Sequence, residues 1–151
     1  MDPKEINKTG FCNKQIDNII SNDLKEYILK DLKLRTGLDH KSRYAKVFNE
    51  LYKKNLKNPH LICLKSYGNP YLLFLIKINN VNYCLLIDKK VKKGHIYPKM
   101  YIVLYRFKDE LFNGTLLETE LVRDNSNNWI LLISDIYYNK GKSTKEIKIT
   151  E

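Results

Sequence analysis

Tyr71-Leu72-Leu73-Phe74-Leu75-Ile76-Lys77-Ile78-Asn79-Asn80-Val81-Asn82-Tyr83-Cys84-Leu85-Leu86-Ile87-Asp88 decides the fold. Two runs rich in branched and aromatic residues flank Asn79-Asn80, and asparagine tolerates positive φ, so the stretch reads as a tight hairpin of two strands. Upstream, Tyr67-Gly68-Asn69-Pro70 reads as a turn and Leu61–Lys65 as a short strand. Downstream, Lys89–Gly94 is a basic loop, followed by strands at Met100–Phe107, Thr115–Arg123 and Trp129–Tyr138. Before His60 the period is helical. Ile16, Ile19, Ile20, Leu24, Tyr27, Ile28 and Leu32 recur at three- and four-residue steps, and Gly37 supplies a stop. A second helix is expected through Tyr44, Val47, Phe48, Leu51 and Tyr52, closed by Asn58-Pro59. The reading is α+β: two N-terminal helices packed on a mostly antiparallel sheet of about five or six strands. It places one domain over residues 1–151, helical over 1–58 and sheet over 59–142, with a polar tail over 143–151 carrying an edge strand at Ile147–Ile149.

Composition narrows the function. The length, 151 residues, fits one core. A hydrophobic share of 43% beside 29% charged residues excludes wholesale disorder. The longest apolar run, Tyr71 to Ile76, falls far short of the roughly 20 residues of a membrane-spanning helix. The polar start Met1-Asp2-Pro3-Lys4-Glu5 reads as an intracellular N-terminus without a secretory signal. Cys12, Cys63 and Cys84 form no Cys-x-x-Cys pair, and His40, His60 and His95 are far apart, so neither a disulfide framework nor a metal site is expected. Cys63 and Cys84 read as small core residues. No Gly-rich phosphate loop and no nucleophile elbow is present.

The net charge of +10 points to nucleic acid, nucleotide phosphate or an acidic partner surface. Lys89, Lys90, Lys92 and Lys93 concentrate it on one loop, which is expected to bind nucleic acid without sequence preference and in a salt-sensitive way. That loop leaves the far end of the strand that starts at the Asn79-Asn80 turn, about 20 Å from Lys77 at strand rise.

Three segments carry a resemblance. They are Phe74-Leu-Ile-Lys77-Ile-Asn79-Asn80-Val-Asn82-Tyr83, then Phe112-Asn-Gly114-Thr115-Leu-Leu-Glu118-Thr119-Glu120-Leu-Val122, then Trp129-Ile-Leu-Leu-Ile-Ser134-Asp135-Ile136-Tyr-Tyr-Asn139-Lys-Gly141. Together they resemble the front half of the covalent nucleotidyltransferase domain of mRNA capping guanylyltransferases and ATP-dependent polynucleotide ligases. The likeness is greatest to capping-enzyme-like proteins of large nucleocytoplasmic DNA viruses, which also suits an AT-rich composition in Lys, Asn, Ile and Tyr. The resemblance implies a nucleotidyltransferase-like fold in which Lys77 attacks the α-phosphate of GTP or ATP, with Mg²⁺ or Mn²⁺ in attendance. It implies nucleotide contacts from Glu120 and Asp135. It also implies RNA rather than DNA, or a viral protein, as partner, and the host cytoplasm (a viral factory) or the virion as location.

The chain departs from the family pattern at the residues that do the chemistry. Asn79-Asn80 stands where the family has Asp-Gly, Asn82 where it has arginine, Glu118-Thr119 where it has Asp-Gly, and Ser134 where it has phenylalanine. The downstream Lys-x-Lys pair that grips the triphosphate finds only Lys145-Glu146-Ile147-Lys148. A lysine nucleophile without its phosphate clamp lacks the electrostatic stabilisation that drives phosphoryl transfer. The expectation is therefore a non-catalytic viral protein that binds nucleic acid, nucleotide or a viral partner; the alternative is an RNA guanylyltransferase with Lys77 as covalent nucleophile.

Overall fold

The computed structural model describes residues 1–41, 49, 50, 53 and 66–147. Most of the expected second helix (Tyr44, Val47, Phe48, Leu51 and Tyr52), the Leu61–Lys65 strand with Cys63, His60, and the Lys148–Ile149 part of the tail strand lie outside those residues. The described residues form one antiparallel sheet of eight strands and one α-helix. The expectation of two N-terminal helices on five or six strands is corrected by this β-rich architecture. The strands are β1 (Ile6–Phe11), β2 (Lys14–Ile19), β3 (Asn69–Ile78), β4 (Val81–Asp88), β5 (Met100–Ile102), β6 (Asn113–Arg123), β7 (Trp129–Asn139) and β8 (Lys142–Ser143). Their order across the sheet is β1-β2-β5-β4-β3-β6-β7-β8.

The N-terminal correction has a local cause. Cys12 and Asn13 both adopt positive φ, closing a two-residue turn that pairs Phe11 with Lys14 and Ile6 with Ile19. Ile16 and Ile19 therefore belong to a strand, although their spacing to Leu24 and Ile28 continues a helical stripe. Helix α1 (Asn22–Thr36) begins only where the Ser21 hydroxyl accepts the Leu24 N–H at 3.2 Å. It ends at Gly37, whose left-handed backbone returns its N–H to the Lys33 carbonyl at 2.7 Å.

The β3–β4 hairpin has the expected form. Asn79 and Asn80 sit at φ 50° and 60°, and the ladder runs without a slip from Ile78↔Val81 to Tyr71↔Asp88. Both strands are buried on both faces, which is why they read as continuous apolar runs. Leu72, Phe74, Ile76, Leu85 and Ile87 pack with Ile28 and Leu32 of α1 on one face. Leu73, Leu75, Cys84 and Leu86 pack on the other face, beneath Val103, Phe107, Leu111 and Phe112. The expected strand Met100–Phe107 stops at Ile102; Leu104 is 96% exposed, and the chain then leaves the sheet toward a 3₁₀ turn at Asp109–Phe112. The sheet coils strongly. Phe11 of β1 reaches Tyr101 of β5 at 4.6 Å and Tyr71 of β3 at 6.0 Å between ring centroids, with three strands lying between β1 and β3.

Candidate nucleic-acid interface

The residues that carried the resemblance are held apart. Lys77 pairs with Asn82 at the hairpin end of β3, whereas Glu120 pairs with Pro70 at the other end. Lys77 stands seven steps along β3 from Pro70, about 23 Å at strand rise, and the alternation of side chains puts Lys77 and Glu120 on opposite faces. Lys77 Nζ lies 2.7 Å from Asp109 Oδ2, and Asn82 Nδ2 donates to Asp109 Oδ1 at 2.8 Å. The Lys77 and Asn82 contacts hold the exposed Asp109 carboxyl below the usual carboxylate range. The Lys77 amine is thus turned toward a carboxylate rather than presented bare to a phosphate.

Glu120 anchors the chain that leads into β3. Its Oε1 accepts the Gly68 N–H at 2.7 Å, and its Oε2 accepts the Ser66 hydroxyl. Gly68 lies so close to β6 that an added Cβ would sit 2.4 Å from the Leu121 carbonyl oxygen and 2.6 Å from Val122 Cγ1. Asp135 stands across from Glu118 on β7, exposed, with its Oδ1 accepting the Ile136 N–H at 2.7 Å. Among the described residues no three His, Cys, Asp or Glu side chains come together to hold a metal ion.

The lysine loop divides. Lys89 turns inward and is 2% exposed; its Nζ lies 2.6 Å from Glu118 Oε1, and the Tyr137 hydroxyl donates to Glu118 Oε2. Lys90, Lys92 and Lys93 are exposed. The loop is pinned at both ends, by the Lys89 N–H to the Pro70 carbonyl at 3.3 Å and by the Asp88 N–H to the Lys99 carbonyl at 2.9 Å. A turn from Lys92 to His95, closed at 3.0 Å, projects its tip. Between the loop and α1 lies a cleft of about 220 Å³ of mixed charge, lined by Lys33, His40 and Tyr97, by Asp39, and by Lys30 paired with Glu26 at 2.7 Å.

Sequence reading missed how far the positive patch extends. Burial and then the neighbouring Lys99 charge pull the Lys25 amine on α1 below its ordinary pKa. Asp88 sits among the charges of Lys90, Lys99 and Lys92, yet burial outweighs them and raises its carboxyl above the usual range. Three lysines of the 90–99 segment therefore surround one half-buried acid, and Lys25 of α1 extends the patch by lying near Lys99. No sequence signal joins Lys25 to Lys99, because only the packing of α1 against the sheet brings them together. The lysine at 77 stands at the opposite end of β4, as the strand arithmetic expected.

No protein-family model matches the chain, and no curated protein sequence matches it. Among the described residues no helix is long and apolar enough to cross a membrane.

Proposed function

We propose that this chain is a non-catalytic protein of viral type that holds the phosphate backbone of a nucleic acid, RNA before DNA, on the surface formed by Lys90, Lys92, Lys93, Lys99 and Lys25. The observation that carries the reading is the gathering of Lys90, Lys92 and Lys99 around Asp88, whose burial weakens it as their counterion, with Lys25 beside Lys99. Like charges held this close are costly in water, and a polyanion relieves that cost while releasing its own condensed counterions. The engagement of Lys77 with Asp109, and of Glu120 with Ser66 and Gly68, supports the non-catalytic half of the reading.

One pair of assays tests both halves. Filter binding of a single-stranded RNA at low salt should show affinity that falls in Lys90→Glu/Lys92→Glu/Lys93→Glu and is unchanged in Lys77→Ala. Incubation with α-labelled GTP or ATP and Mg²⁺ or Mn²⁺ should leave no label on the denatured protein. Label that disappears in Lys77→Ala would establish covalent nucleotidyl transfer instead; equal RNA affinity in the triple variant and the unaltered chain would remove the basic surface as the interface.

A further inference from the structure

Strand β7 presents an unusual edge. It pairs with β6 along its length, but among the described residues its outer side is engaged only at its end, where Tyr138 and Asn139 pair with β8 and Thr144 donates to the Ile136 and Tyr137 carbonyls. Ile130, Leu132, Ile133 and Ile136 are 40%, 38%, 55% and 46% exposed. Edge strands are ordinarily protected from other strands by lysine, proline or inward charge. β7 has no lysine, arginine or proline, in a chain whose net charge is +10, and Trp129–Ile133 carries no charge at all. The regular ladder also ends there: Thr119 pairs with Ile133 and Glu118 with Asp135, so Ser134 is an extra, bulged residue.

We infer that two copies of this chain join through antiparallel β7–β7 pairing about a two-fold axis at Leu131, making one sheet continuous across both. An axis perpendicular to the sheet keeps every residue on its own face, which restricts the registers. Centred on Leu131, the pairing sets Ile130 against Leu132 of the partner subunit on one face, and Trp129 against Ile133 of the partner subunit on the other. Every opposed pair is apolar. Moving the centre to Leu132 sets Ile130 against Ser134 of the partner subunit and Trp129 against Asp135 of the partner subunit, which strands a carboxylate opposite an indole. Self-complementarity is what an isologous interface demands, and a second copy supplies it. An acidic partner would find no cation on this strand to meet it.

The sign of the salt effect separates this contact from nucleic-acid binding. Two bodies of charge +10 repel, so salt strengthens the dimer, whereas it weakens attachment to a polyanion. Sedimentation equilibrium from micromolar to submillimolar concentration, without nucleic acid, should show twice the 17.9 kDa chain mass, with more dimer at high salt. Leu132→Lys should sediment as a monomer and melt as the unaltered chain does, and Ile136→Lys, beyond the paired residues, should still dimerise. A chain that stays monomeric at the highest concentration overturns the inference and leaves the edge to a different partner. So does a dimer that survives Leu132→Lys, or one lost equally in Ile136→Lys. Should Leu132→Lys fail to fold, hydrogen exchange of the unaltered chain decides: protection at Trp129–Ile133 must rise with concentration.

Discussion

Lys89→Met tests the division of the lysine loop. The methionine keeps most of the side-chain volume and removes the ammonium, whose side chain is 2% exposed against a Glu118 that is 25% exposed. Removing one partner of a buried ion pair costs about 3–5 kcal/mol, because the remaining charge is left in a poor medium. Glu118 keeps the Tyr137 hydroxyl and some access to water, which places the loss near the lower end, about 3 kcal/mol. For a chain of this size each kcal/mol moves the melting midpoint by roughly 2–4 °C, so the fall is about 6–12 °C. Lys89→Met/Glu118→Gln should recover much of it, since no uncompensated charge remains. RNA affinity, measured well below the melting midpoint, should match that of the unaltered chain. The reasoning fails if Lys89→Met melts with the unaltered chain and loses RNA affinity, which is how a solvent-facing phosphate contact would behave.

Gly68→Ala should destabilise the fold by about 2 kcal/mol in denaturant titration, because its Cβ would meet the Leu121 backbone oxygen at 2.4 Å; an unchanged midpoint would show that the 66–68 segment does not lie against β6. Asp88→Asn should raise the melting temperature at neutral pH. The folded chain binds the Asp88 proton more tightly than the unfolded chain does, so ionised Asp88 costs stability above its folded pKa, and the gain should vanish in acid. The same variant should tighten RNA binding by about twofold, the worth of deleting one like charge some 8 Å from a phosphate in water; weaker binding would contradict the patch. His40 holds Asp39 Oδ1 at 2.7 Å through Nδ1, its buried Nε2 finds no hydrogen-bond partner among the described residues, and burial lowers its pKa against the pull of Asp39 and Asp88. Its contribution to stability is therefore complete above the unfolded 6.5 and is lost as pH falls from there toward the folded value. His40→Gln should flatten the melting temperature between pH 7 and 5; an unchanged slope would place the titration elsewhere.

The centre of the sheet was legible because its signals are local. Asn79-Asn80 between two branched, aromatic runs specifies a hairpin, and the limits expected for Thr115–Arg123 and Trp129–Tyr138 fall within two residues of β6 and β7. The β1–β2 hairpin was not legible. Its turn, Cys12-Asn13, is a weak signal, and Ile16, Ile19 and Ile20 fall into step with Leu24 and Ile28 across a cap that only Ser21 marks. Ile19 projects from β2 into the same core as Ile28 and Leu32 while Ile20 is 45% exposed, so the apparent stripe mixes two elements. At the site, the loop lysines were visible as a charge run, but alternation at the end of β4 decides that Lys89 alone faces Glu118. The Asp109 that occupies Lys77 comes from 32 residues away, a contact that no spacing rule reaches.

The salt dependence of RNA affinity tests the central claim most directly. Each phosphate neutralised on a single strand contributes about −0.7 to the slope of log affinity against log salt, so four or five lysine contacts give roughly −3. Reversing Lys90, Lys92 and Lys93 removes three of them and should bring the slope to about −1. A slope near zero in the unaltered chain, or one that the triple reversal leaves in place, would contradict the account.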